Sequence, residues 1–316
     1  MNDSMPLSDD GLTILLFHGV IEQQSHPVRN YLGKHLEECH FVAMLQRLME
    51  HGRPMSMPQI TACRESGEPY PPRSFAVTFD DGFENNYRIA APILRQLNIP
   101  ATFYVTTGFI ENNLMSWIDR IEHAIENATC QDLRLPWLKT PMRITSTVGK
   151  IAALEVIRAK VKTDKKIDVD ALIASVFEQA NVDFCDKGDG PLDLKMCWDQ
   201  VRALSRDPLF TIGGHGHRHA ILSFLDSEEL AVELDTSLEA IRAQEIAVCD
   251  YAYPEGQSHC YSDAVVEALQ LRGIKCATTA IPGVNTAETN PFELHRIMPT
   301  PHSLSWLNEG APACAE

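Results

Sequence analysis

Apolar positions along the chain fall into two alternating rhythms. "TILLF" (13–17) reads as a strand, and "LEECHFVAMLQRLMEHG" (36–52) as an amphipathic helix that stops at Gly52. "SFAVTF" (74–79) is the next strand. "NNYRIAAPILRQLNIP" (85–100) is a helix that stops before Pro100, and "ATFYVT" (101–106) is a strand again. The same alternation returns later with "LFTIG" (209–213), a helix with an acidic first turn (226–243), "VCDYAY" (248–253), a helix over 262–273 and "KCATT" (275–279). Repeated strand–helix–strand units predict a parallel sheet with helices packed against it.

Over 109–195 the rhythm breaks. Three helical patterns, "MSWIDRIEHAIEN", "VGKIAALEVIRAKV" and "VDALIASVFEQAN", are followed by the loop "DFCDKGDGPLD". This segment is expected to be a helical insertion.

Charge sharpens that picture. The formal net charge of −16 argues against nonspecific nucleic-acid binding, which needs a basic footprint. Within 134–166, however, nine basic residues stand against Glu155 and Asp164 alone. That window reads either as a solvated helix face or as a patch for an anionic handle: a nucleotide diphosphate, a lipid phosphate or a membrane headgroup met peripherally. The opening "MNDSMPLSDDGLTILLFHGV" lacks the pattern of a secretion signal, and no run is long enough to span a membrane. A cytoplasmic protein is expected. Nine cysteines with no C-x-x-C pair suggest reduced, structural thiols.

Several predicted strands run directly into polar residues. The first leads to His18, "FAVTF" to Asp80 and Asp81, "LFTIGG" to His215, His217 and His219, and "CDYAY" to Pro254, Glu255 and Gly256. The carboxyl ends of parallel strands share one face, so these distant residues can converge there. His215 and His219 form H-x-x-x-H, a spacing that lets two imidazoles meet one divalent ion. Asp81 as a third ligand leaves a coordination position open, the pattern of a catalytic rather than a structural site. Asp80 then stands beside the ion as a general base. His217 reads as a structural hydrogen-bonding residue.

These residues carry a family resemblance. Thr78-Phe79-Asp80-Asp81, followed by Gly82, resembles the first motif of the polysaccharide deacetylases with the NodB-homology fold, carbohydrate esterase family 4. His215-Gly216-His217-Arg218-His219 resembles their second motif. The resemblance implies a distorted (β/α)-barrel of about seven parallel strands, forming one catalytic domain over 1–316 with 109–195 inserted in it. It implies Asp80 as base and Asp81, His215 and His219 as ligands of zinc, with cobalt or nickel as alternatives.

The chain also departs from the family pattern. Gly216 replaces the usual Ser or Thr, so a loop-fixing hydroxyl is missing. "YAYPEG" lacks the Arg that orients the catalytic Asp, and Arg296 in "ELHRI" is the candidate substitute. The family's late general-acid His is matched by His295 in "ELHRI" or, in a circularly permuted arrangement, by His18 in "ILLFHG". His18 is preferred.

The implied reaction is removal of an N-acyl group, acetyl above all, from an amino sugar. A cytoplasmic location points to a nucleotide- or lipid-diphosphate-linked precursor, with Trp117 lining the sugar cleft or serving the core. The alternatives are an amidase acting on a non-sugar amide and a carbohydrate-binding relative without catalysis.

Overall fold

A computed structural model describes residues 7–23 and 26–300; the expected domain over 1–316 extends outside them at both ends, and Cys314 with it. The seven-stranded sheet consists of β1 (Leu12–Phe17), β2 (Arg53–Pro54), β3 (Ser74–Phe79), β4 (Ala101–Val105), β5 (Phe210–Gly214), β6 (Asp250–Ala252) and β7 (Cys276–Thr278). The strand order is β1-β3-β4-β5-β6-β7, with β2 also beside β3, and every pairing is parallel. Strands β1, β3 and β4 are buried at every position. Their continuous apolar runs therefore suit a sheet covered on both faces.

The sheet curls, and one segment spans its two edges. Leu294 bridges to Thr278 beside β7, and Ile297 bridges to Leu15 in β1. Backbone bonds hold both sides: Thr279 N donates to Leu294 O at 2.8 Å, and Ile297 N to Ile14 O at 2.8 Å.

Helices cover the sheet where the periodicity places them. Helix α1 (Glu38–His51) buries Phe41, Met44, Leu45 and Leu48 and ends at Gly52. The helix expected over 85–100 is less regular. It begins as a π-turn, Asn86–Ala90, and becomes α-helical only in α2, Ala91–Leu97. Pro92 explains the break: it has no N–H to give to the preceding turn, which widens around it.

The segment expected to be an insertion has its own apolar centre. Helices α3 (Trp117–Glu126), α4 (Thr147–Thr163) and α5 (Val169–Ala180) bury Ile121, Ile125, Leu154, Ile157, Val176 and Phe177 against one another. Back on the main sheet, α6 (Ser227–Arg242) starts with a reciprocal cap between Asp226 and Glu229.

Among the described residues, no helix is long and apolar enough to cross a membrane. Among the described residues seven cysteines are free, but Cys39 is disulfide-bonded, which corrects the expectation of reduced thiols, an expectation that rested on short-range spacing alone.

Candidate metal centre at the strand ends

The turn after β3 aims two carboxylates into one cavity. Asp81 (φ 71°) and Gly82 (φ 77°) are both left-handed, which reverses the chain immediately after the strand. The left-handed backbone at Gly82 favours glycine, and a Cβ there would meet only the flexible end of Ile110, at 2.7 Å from Cδ1. The cavity holds about 240 Å³ and is lined by His18, Lys34, Asp80, Asp81, His215, His219 and Arg296 among others.

Asp81, His215 and His219 bring one ligand atom each within 4.8 Å of one another. Asp81 Oδ1 lies 3.5 Å from His215 Nε2 and 3.4 Å from His219 Nε2. That oxygen is buried without a hydrogen-bond partner. His215 Nδ1 contacts the Ala252 carbonyl oxygen at 2.7 Å. This nitrogen must therefore carry the proton, which leaves the Nε2 lone pair facing the cavity. Burial lowers the pKa of His219 despite the nearby Asp81 carboxylate, favouring the neutral ring a metal needs. Two neutral-capable imidazoles and an orphaned carboxylate oxygen suit a zinc-like ion with an open position.

Asp80 is held differently. Arg296 grips it with a two-pronged fork, Nη1 to Oδ1 and Nη2 to Oδ2, both at 2.7 Å. The guanidinium itself is fixed by Nε donating to Thr279 O at 2.7 Å and Nη1 to Thr78 Oγ1 at 3.2 Å. Burial alone would raise the pKa of Asp80, but Arg296, with His215 and His18, together outweigh it and lower the pKa, keeping the carboxyl ionised. Arg296 thus sits where the missing third-motif Arg would be needed.

The general-acid candidates separate clearly. His18 lines the cavity, and its buried Nδ1 has no hydrogen-bond partner. Burial pushes it down to about 4, so its resting ring is neutral. His295 is not among the lining residues. It exchanges backbone bonds with the Asn285 side chain, and its ring packs against Gly283. Neighbouring residues of an extended segment face opposite sides, so sending Arg296 to Asp80 turns His295 away. His295 therefore lies outside the lining of the cavity that the other candidates share.

The missing hydroxyl at Gly216 also has a substitute. Glu233, from α6 and only 1% exposed, accepts from His217 N at 2.8 Å and Arg218 N at 2.7 Å through Oε1. Gly216 itself is left-handed (φ 79°), and a Cβ there would meet Glu233 Oε1 at 2.9 Å. His217 turns away from the ligand set, its Nδ1 2.9 Å from Thr107 Oγ1.

The insertion forms part of the wall. Trp117, Ile118, Arg158 and Lys162 line the same cavity as the Asp81, His215 and His219 cluster. Arg158 and Lys162 are one turn apart on α4, and they pair with Glu122 and Glu255 respectively. Lys160 pairs with Asp164 at 2.7 Å. The basic window is therefore not one free patch. A larger cleft of about 560 Å³ shares Trp117, Lys162, His219 and Glu255 with the catalytic cavity, so Trp117 faces the cleft while also packing on the insertion's core. Sequence reasoning missed Lys34, Asp119, Lys195 and Glu233. Each is an ordinary charged residue whose partner is remote in the chain.

Residues 67–163 match the family model described as polysaccharide deacetylase. Curated proteins give no match. Among solved structures, the Streptococcus pyogenes deacetylase PplD in complex with acetate aligns with TM-score 0.61 and 16% identity, over 96% of this chain and 99% of that one. IcaB from Ammonifex degensii aligns at TM-score 0.59 and 16% identity, covering 95% and 98%. The BpsB deacetylase domain from Bordetella bronchiseptica aligns at 0.56 and 17%, covering 93% and 98%. At such identities the likeness is one of fold: the curled, mostly parallel sheet with its helices.

Proposed function

We propose, from the premise that this chain carries the polysaccharide deacetylase segment on the polysaccharide deacetylase fold, that it is a metal-dependent hydrolase removing N-acetyl groups from an amino-sugar glycan. The observation that carries the reading is the pairing of two unlike carboxylates. Asp81 offers an orphaned oxygen to two imidazoles, while Asp80 is clamped, ionised and 3.8 Å from His215 Nε2.

Asp81, His215 and His219 would hold the ion, with zinc the best fit to that donor set. When bound, it supplies Lewis acidity, polarising the acyl carbonyl and acidifying water. The remaining chemistry belongs to the chain. Asp80 accepts the proton that water loses as its oxygen attacks the acyl carbon. Arg296 keeps that carboxylate ionised and fixed in angle until it does so. His18 is neutral at rest, so it relays this proton to the amine nitrogen as the C–N bond breaks. The products are acetate and a free amine.

The cleft beside the cavity favours a chain of sugars over a single residue, since the two spaces share part of one wall. A diphosphate-linked precursor has less support, because Lys160 and Lys162 already carry carboxylate partners. The test is bound metal per chain, measured for wild type and Asp81→Ala purified without chelator, together with acetate release from N-acetylglucosamine oligomers. About one ion in wild type, lost in the variant, with acetate released only by wild type, is the expected result. A wild type that binds no zinc even when supplied with it would overturn the proposal.

A further inference from the structure

The two oxygens of Asp81 have different surroundings. Oδ1 faces the two imidazoles and accepts no hydrogen bond. Oδ2 faces Lys34, whose Nζ lies 3.4 Å away. The same ammonium donates to Asp119 Oδ1 at 3.0 Å and sits over the Phe83 ring, 4.7 Å from its centroid. Asp119 is buried and fixed in turn. It belongs to the reciprocal cap at the start of α3 with Ser116, and its Oδ2 lies 3.7 Å from Lys195 Nζ, which is fully buried. A continuous line of alternating charge thus runs Asp81–Lys34–Asp119–Lys195, from the ligand set to the first helix of the insertion.

We propose that Lys34 is a positioning residue that restricts Asp81 to one-oxygen ligation of the metal. This rests on the metal-hydrolase reading above. A free carboxylate offers two equivalent oxygens and can swing to hold an ion with both. Doing so would fill the coordination position that catalysis needs open. A compact ammonium with three donors satisfies Oδ2 and Asp119 together. Only Oδ1 is left for the ion. Because Asp119 comes from α3, the insertion also helps set the angle of a metal ligand that lies outside it.

The test uses the full chain loaded with Co²⁺, whose visible absorption weakens as coordination number rises. Wild type and Lys34→Gln are compared for cobalt stoichiometry, band intensity and kinetics on N-acetylglucosamine oligomers. The expected variant binds about one ion per chain, as wild type does, but with a band weakened about twofold or more. Its kcat falls by about 10- to 100-fold, the range typical when a group supporting a metal ligand is lost, while KM stays within about threefold. If Lys34→Gln does not melt cooperatively, Lys34→Gln/Asp119→Asn removes one charge of each sign and keeps the buried balance, and the same spectral change is expected. Asp119→Asn alone keeps an Oδ1 to accept from Lys34 Nζ, so Lys34 stays on Asp81 and the wild-type band should be kept. An unchanged band in a folded Lys34 variant overturns the proposal, whatever happens to activity. A wild type that takes up no cobalt defeats the metal reading itself, a distinct outcome seen before any variant is made.

Discussion

Replacing Arg296 with lysine tests how the catalytic base is held. Lysine keeps the charge but loses the fork, so one of the two 2.7 Å bonds to Asp80 goes, and with it the bond to Thr279. A hydrogen bond between charged groups contributes about 1.5–3 kcal/mol. Losing one loosens the hold on the ionised form of Asp80 by that much. Since 1.36 kcal/mol corresponds to one pKa unit, the Asp80 pKa should rise by about 1–2 units. The base works when ionised, and its pKa is depressed in the native site. Activity is therefore lost as pH falls through that value, and raising the value moves the acid limb of the pH–rate profile upward. At neutral pH the misaimed carboxylate should lower kcat/KM by about 10- to 100-fold. The conservative replacement is needed because Arg296→Met would strand a buried carboxylate, at a stability cost of about 3–5 kcal/mol. The assay is acetate release from N-acetylglucosamine oligomers across pH. A large drop with an unmoved acid limb would refute the reasoning, since Arg296 would then act on something other than Asp80.

Three further outcomes are expected. Asp250 is buried without a cation beside it, one of its oxygens is unpartnered, and burial pushes it up to about 7 from 3.8. The native state therefore holds a proton that the unfolded chain has released, and stability falls as pH rises from about 4 to 7, by roughly 4 kcal/mol in total. Asp250→Asn should abolish that slope in thermal melts, and an unchanged slope would show that Asp250 is not its source. Glu233→Ala strands two backbone donors of the histidine loop and should weaken metal binding by about 10- to 100-fold, read by chelator competition; unchanged affinity would mean the loop holds without it. Gly216→Ser restores the usual family residue, yet the left-handed backbone and the 2.9 Å approach to Glu233 should make it destabilising by about 1–3 kcal/mol, checked by denaturant unfolding.

The parts of this molecule that were legible in sequence share one property: their meaning is local. A strand followed at once by Asp80 and Asp81, or by His215 and His219, announces both the element and what its end presents. Arg296 was legible for another reason. The resemblance implies an Arg that orients Asp80, and "YAYPEG" does not supply one. The choice between His18 and His295 turned on a one-residue alternation in a segment whose pairing with β1 and β7 only the fold reveals.

What stayed hidden was the second layer of charge. Lys34, Asp119, Lys195 and Glu233 look like surface residues in the sequence, and their burial depends on partners 85, 47, 76 or 15 positions away. The basic window was visible as charge but misleading as a surface. Helical geometry puts Arg158 and Lys162 on one face of α4, and that face turns toward the cavity, where both meet carboxylates. A buried cation beside each catalytic carboxylate has a chemical consequence. Arg296 on Asp80 and Lys34, shared between Asp81 and Asp119, offset the charge of these two carboxylates, so an ion bound there would keep more of its own charge for the acyl oxygen. The same neutralisation weakens the electrostatic hold on the ion. On the proposed function, the site would therefore gain Lewis acidity at the expense of metal affinity, and His215 and His219 with the Glu233-held loop would carry more of the binding.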